Sequence, residues 1–569
     1  MDLSTNQLVV AVVGAYFILL VAIGAAFARS AKSTSDYYKG GNIIPWWAVG
    51  LSQYMASFSA YSFVVIAGVV YGKGAFGLLW TCLPPTMLIV GALTFGRRWR
   101  RTGLTTPIEY FAVRYSPRFR EVFAWLGLIS RPLGNGVRIA AFAVLMTAIL
   151  GYERTAPFAA GLTIPDAVVI GGVAVVILYT LLGGLYGAVV ADILQFVILF
   201  AALIALFALS WGRIGGIDGA LHLLPADFFR LPSLASSEWL WFLAWAVIFF
   251  CDYNAAQWGL ITRYLGTRSE KDAAKAGVLA GALYFPHIAL AMLPVLVARA
   301  LNPAIHPESS FGWICREILP GGLVAVMVAA MFSATLSTIS AELNSLSGVF
   351  AFDIYRARIN PHANERRLVF VGRATVLISG AATIVIGILV LHSAGLILNA
   401  AQQIASYFVI PMAVPMLLGL FTWKTNSRSA FAAMIAGALT AWLAYYFPRQ
   451  WGCSPTVVTL LQNAGTALVS ATVFLVSRAW WRSTPDEAEK SRRFIDSLRH
   501  PAAELAGDDR GFPAPLNVVG ACVLVTAAMT LLTLVQPATR AEWPAVAWTG
   551  GGLAALGLAA LALQPRRRS

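Results

Sequence analysis

The 569-residue chain is 59% hydrophobic and only 12% charged, which excludes a soluble globular protein of this length and leaves a polytopic membrane protein. Its net charge of +15 does not point to nucleic acid, because the basic residues follow the membrane. Fifteen apolar spans are expected, at about 7–27, 45–71, 76–96, 121–150, 165–185, 187–211, 238–262, 274–300, 320–350, 370–392, 395–422, 427–447, 455–481, 515–537 and 543–564. With the N-terminus outside, 31 of the 41 Lys and Arg lie in inner loops and 8 in outer loops; Arg131 and Arg138 fall inside a span. The five cysteines show neither metal-ligand nor disulfide spacing. Arg29 and Lys32 follow span 1, which reads as a retained N-out helix and not a signal peptide.

Span 1 is uniformly apolar and expected at the periphery. Span 2 opens on Pro45-Trp46-Trp47 and carries Ser57, Ser59, Tyr61 and Ser62, about 17 Å along the helix and so near the midplane. Weak helix formers there predict a discontinuous helix, whose freed carbonyls around Met55 and Phe58 could bind a cation; a Ser-rich packing face is the other reading. After span 3, TPIEYFAVRYSPRFRE reads as an amphipathic helix on the cytoplasmic face with solvated or lipid-facing basic residues. Span 4 holds Arg131 and Arg138, each either facing a solute or paired structurally. Asp192, inside span 6, is a cation ligand, a proton relay or half of an ion pair.

Span 7 contains Asp252, Asn254 and Gln257, and the basic segment after it reads as cytoplasmic. Pro286 and Pro294 are kink signals in span 8, and His287 reads as a bonded core histidine. Span 9 passes through Met331–Tyr355, with hydroxyls at Ser333, Thr335, Ser337, Thr338, Ser340, Ser345 and Ser347. Ala334, Ser337 and Thr338 share one helix face, so a carbonyl and two hydroxyls converge without formal charge, a donor set suited to a small hard cation; hydroxyls bonded back to the carbonyl one turn earlier are the other reading. Span 11 carries Gln402 and Gln403 at its outer end. Ser483–Pro513 is the longest polar stretch and reads as an amphipathic cytoplasmic helix with loops. Spans 2–6 and 7–11 form two sets of five, so the second must run inverted.

WWAVGLSQYMASFSAYSF, LLGGLYGAVVADILQF, MFSATLSTISAELNSLSGVFAFDIY and LLGLFTWK occur in the order and spacing of the sodium:solute symporter family, which the chain resembles over about residues 46–424. The resemblance implies an all-α, leucine-transporter-like five-plus-five inverted repeat with accessory helices, working by alternating access. It implies a sodium site of the Met55, Phe58 and Ala334 carbonyls with the Ser337 and Thr338 hydroxyls. A second sodium site would use Asp192 and Ser340, although Ala341 replaces a serine that some members place there. By the same resemblance the solute site takes in Ser57, Tyr61, Ser62, Gln257 and Gln402. Thr81 stands in the region where galactose carriers have a glutamate, and Arg138 falls where sialic acid carriers hold the substrate carboxylate.

The expected function is sodium-coupled import of a small polar organic solute (a sugar, a sialic acid or other carboxylate, or an amino acid). A proton-coupled carrier using Asp192 and a transporter-like solute sensor are the alternatives. Sodium is the coupling ion; the partners are the solute and membrane lipid, with no nucleic acid, and a monomer is expected to suffice. No nucleophile–base pair suggests an enzyme. The expected place is a bacterial inner membrane, with the C-terminus cytoplasmic. The expected units are 1–44, an accessory helix and loop; 45–212 and 213–425, the two repeats; and 426–569, the accessory helices with segment 483–513.

Overall fold

A backbone inside hydrocarbon must satisfy its polar groups internally, and every regular element among the described residues of this computed structural model is helical. The structure describes residues 9, 11–19, 44–393, 397–500, short stretches between 520 and 527, and 543–562. Within them, eleven helices are long and apolar enough to cross a membrane. The first, Ser62–Arg101, is 40 residues, about 60 Å at 1.5 Å per residue and twice a bilayer's hydrocarbon. It therefore holds part of span 2 and all of span 3, and the chain reverses between them at Gly74 (φ 52°, ψ −125°). Only glycine fits there, since a Cβ would lie 2.3 Å from the Phe228 carbonyl oxygen.

The other ten candidate helices carry spans 4 to 13. The expected fifteen are thus not all found: spans 1 and 14 fall largely outside the described residues, and span 15 appears as helix Trp543–Ala562. Span 1 is not merely peripheral, because buried Tyr16 accepts a hydrogen bond from Ser333 Oγ (2.6 Å) and Phe17 meets Phe332 edge-on. Span 8 keeps Pro286 and Pro294 inside one helix, Glu270–Leu301. His287 there receives Tyr54 in a 2.9 Å contact between Tyr54 Oη and its Nδ1, among the rings of Phe58, Phe63 and Tyr284.

Burial sorts the helices into centre and rim. The most apolar 18 residues of span 9 (Gly321–Ile359) are all buried, against 28% for span 12 (Ser427–Gln450). Span 9 is the axis around which spans 2, 4, 6 and 7 close.

Two helices near this axis are interrupted midway. Span 2 runs as Trp46–Ala56, loses helical structure at Ser57–Ser59, and resumes through a π-turn at Ser62–Ile66. Span 7 runs as Glu238–Cys251, widens into a π-turn at Asp252–Ala256, breaks at Gln257 (ψ 88°), and continues as Trp258–Leu265. These are the first helices of the two sets of five.

One expectation about the loops is corrected. The segment after span 3 is a six-residue helix, Glu109–Arg114, and Arg114 is neither solvated nor lipid-facing but fully buried. Its guanidinium donates to the carbonyl of Gly419 (3.0 Å), which caps the end of span 11, and to those of Thr422 and Thr425 in the loop that follows. The polar tail folds as helix Pro485–Ser497 behind a Thr484/Glu487 capping box. Its Ser491 bonds Arg114, and its Phe494 packs against Tyr110.

Candidate functional site

The broken ends of span 2 face span 9. Of the carbonyls orphaned at Ala56, that of Ser57 accepts from Tyr253 Oη (2.8 Å) and that of Phe58 accepts from Thr338 Oγ1. Among the described residues no backbone donor reaches the Met55 carbonyl. Thr338 Oγ1 also lies 3.0 Å from the Ala334 carbonyl, and Thr335 Oγ1 accepts the Ala60 N–H at 3.0 Å. Oxygens of Phe58, Ala334 and Thr338 thus meet at one buried point. The donor set is neutral, all oxygen, and suited to a small hard cation.

Ser337, one residue from this point, donates to Asp192 Oδ1 (2.6 Å). The other carboxylate oxygen accepts from Ser52 (2.5 Å) and from Arg263 Nη2 (3.1 Å). Arg263 also bonds Ser52 (2.8 Å) and the Gly259 carbonyl (3.0 Å). Asp192 is therefore half of a buried ion pair. Arg263, which the sequence suggested was part of a basic cytoplasmic segment, is 2% exposed. Ser340 turns to the Ser337 carbonyl (3.1 Å) and shares no contact with Asp192 among the described residues.

Above the cation point lies a cavity between the two breaks. Span 2 contributes Ser57, Ser59, Tyr61 and Ser62; span 4 contributes Ser130, Arg131 and Arg138; span 7 contributes Asp252, Tyr253 and Gln257; Thr338 reaches it from span 9. Trp245, Phe249 and Ile404 give it apolar walls. Arg138 Nη1 is steadied by Asn135 Oδ1 (3.1 Å), and Gln257 Nε2 donates to Asp252 Oδ2 (2.6 Å).

The side facing the arginine-rich loops is closed. Arg131 donates to the Ala256 carbonyl, lies 3.9 Å from Glu342, and stacks its guanidinium over Trp258 at 5.0 Å. Glu342 accepts the Gly259 N–H (3.0 Å). Gly259 is there because a Cβ would stand 2.9 Å from that of Ala341.

The structure thus brings Ser57, Tyr61, Ser62, Arg138 and Gln257 to one cavity and leaves two expected residues away from it. Thr81 turns its buried hydroxyl to the Leu78 carbonyl of its own helix (2.6 Å). Gln402 faces span 13, bonding Thr459 (3.2 Å) and Gln462 (3.4 Å). Sequence reasoning passed over Asp252 and Glu342 as site residues. Their signal was their charge inside an apolar span.

The description of the sodium:solute symporter family matches residues 37–225 and 275–437, more than half of the chain. The chain belongs to that family. This symporter is 27% identical over 476 residues to a sodium/glucose cotransporter of Vibrio parahaemolyticus, across 76% of this chain and 84% of the relative. It is also 27% identical over 450 residues to a sodium/sialic acid symporter of Aliivibrio fischeri, across 75% and 85%. In fold it resembles the substrate-bound, outward-open state of a Na+-coupled sialic acid symporter, with a TM-score of 0.69, 20% sequence identity, and coverage of 83% of this chain and 98% of that one. The likeness establishes the leucine-transporter-like inverted repeat. Membership makes sodium the coupling ion and a small solute the cargo, and its relatives are transporters.

Proposed function

We propose that this symporter imports a small carboxylate-bearing solute with sodium. The observation that carries the reading is Arg138. Its guanidinium lines the central cavity, is held from one side by Asn135, and has no carboxylate within 4 Å among the described residues. A charge inside a span is costly, so a partner supplied by the solute is the economical explanation.

Sodium, the co-transported substrate, is assigned to the carbonyls of Met55, Phe58 and Ala334 and the hydroxyls of Ser337 and Thr338. Bound there, it would hold the broken span 2 against span 9 and favour the state in which the solute cavity is complete. Coupling is then a difference in affinity between two states. One charge crossing 100 mV supplies about 2.3 kcal/mol, and a tenfold gradient about 1.4 kcal/mol more. One sodium thus supports roughly 500-fold accumulation of a solute of zero net charge, and about tenfold of a monoanion, whose charge cancels that of the sodium. A second ion at Asp192 and Ser340 is not part of this reading, because Arg263 already neutralises Asp192. The same pair argues against proton coupling through Asp192.

The arrangement of basic loops supports an inner-membrane protein with its N-terminus outside, its C-terminus inside, and repeats at 45–212 and 213–425. Each chain contains a whole cavity, which supports transport by a monomer surrounded by lipid. The test is thermal stabilisation of purified protein by short carboxylates, sialic acids, amino acids and sugars, with and without sodium. Stabilisation by a carboxylate that needs sodium and is lost in Arg138→Gln supports the reading. Equal binding by Arg138→Gln refutes it.

A further inference from the structure

We infer that the cavity has a second recognition pole, Asp252, which takes a cationic nitrogen, so the solute is a zwitterion bound between Asp252 and Arg138. The inference rests on the assignment of the solute carboxylate to Arg138.

Five charged side chains stand around or directly beneath the cavity besides Arg138: Arg131, Asp192, Asp252, Arg263 and Glu342. Four are matched with one another, Arg131 with Glu342 (3.9 Å) and Arg263 with Asp192 (3.1 Å). What remains is one cation on span 4 and one anion on span 7. Neither Arg138 nor Asp252 has an opposite charge within 4 Å among the described residues, and both side chains line the same cavity, half-buried. Each is held from behind by an amide: Asn135 accepts from Arg138, and Gln257 donates to one oxygen of Asp252. The Asp252 Oδ1 oxygen and the far edge of the guanidinium are left for a ligand.

Asp252 sits on the π-turn that interrupts span 7, and Ser57 and Ser62 sit at the interruption of span 2. Broken helices place backbone and side-chain polar groups at the midplane, where a solute is held. Phe249 and Tyr253 lie on the same stretch of span 7 as Asp252 and line the same cavity, and aromatic rings are favourable neighbours for an ammonium.

Charge balance then ranks the solutes. A monoanion would satisfy Arg138 and face Asp252, a like charge in a poorly screened site. A neutral sugar would leave both charges without an opposite charge within 4 Å. A zwitterion neutralises both, as a buried charge requires.

The test measures sodium-dependent thermal shifts of the full-length protein in lipid nanodiscs. The probes are L-amino acids with neutral side chains, their N-acetyl derivatives and the corresponding amines, with N-acetylneuraminic acid and D-galactose as monoanionic and neutral comparators. Wild type should bind at least one zwitterion tenfold or more tightly than its N-acetyl and decarboxylated counterparts. Asp252→Asn should erase the preference of zwitterion over N-acetyl derivative while sparing the carboxylate requirement, and Asp252→Glu should restore it. An unchanged preference in Asp252→Asn overturns the inference, as does tighter wild-type binding of either comparator than of every zwitterion. Arg138→Gln separates the two readings. Undiminished carboxylate binding in that variant removes the Arg138 assignment itself, whereas loss there with no change in Asp252→Asn removes only the second pole.

Discussion

The phenol of Tyr253, in the interruption of span 7, donates to the carbonyl of Ser57, in the interruption of span 2, across 2.8 Å. A carbonyl freed by one broken helix is thus satisfied by a side chain from the other, and the two repeats meet at the wall of the solute cavity. Tyr253→Phe removes the donor and leaves a buried carbonyl unsatisfied, a cost of about 1–3 kcal/mol. The expected result is a lower melting temperature and several-fold weaker solute binding with sodium present. Melting and binding curves matching wild type would show that the bond holds nothing together.

Sodium dependence should be most sensitive to Thr338, whose hydroxyl spans the Phe58 and Ala334 carbonyls. Thr338→Ala is expected to raise the half-saturating sodium concentration at least tenfold, about 1.4 kcal/mol, whereas Thr338→Ser keeps the oxygen and most of the affinity. Ser337→Ala removes one oxygen of the proposed sodium site and also a donor to Asp192. It should therefore lose more stability than Thr338→Ala when sodium is withdrawn. Sodium titrations of uptake, paired with melting curves in choline buffer, read both effects.

Asp192 and Arg263 stand or fall together. Asp192→Asn leaves a buried guanidinium without its counterion, and breaking such a pair from one side costs about 3–5 kcal/mol. The double variant Asp192→Asn/Arg263→Gln should recover much of that loss, since no charge is then stranded. A double variant no more stable than Asp192→Asn would mean that the arginine is not the carboxylate's partner.

Gly259 lets span 7 approach span 9 on the side closed by Arg131 and Glu342. Gly259→Ala places a methyl group 2.9 Å from the Ala341 Cβ and 3.2 Å from its carbonyl carbon, an overpacking of about 1–3 kcal/mol. The closed state should be disfavoured, so a cysteine placed at Ser345, 5% exposed and 3.2 Å from Thr262, should react faster with a maleimide. Labelling at the parental rate would show that the contact is not what seals this side.

Hydropathy, charge placement and local spacing determined by themselves the membrane class, the order of spans 2 to 13, the interruption of span 2, and the hydroxyl face of Ala334, Ser337 and Thr338. These are properties of a single helix: burial in lipid demands a run of apolar residues, and a face follows from a 3.6-residue period. Only the tertiary structure decided which faces meet. It gave Asp192 the guanidinium of Arg263, 71 residues away, where the isolated carboxylate read equally as a cation ligand. It buried Arg114 under the end of span 11, where its segment looked like a surface helix. It kept Thr81 and Gln402 out of the cavity and set Asp252 in the same cavity as Arg138. Each outcome depends on the rotation of one helix about its axis against another. That rotation is settled by close contacts such as Gly259 on Ala341, which no window along a single span contains.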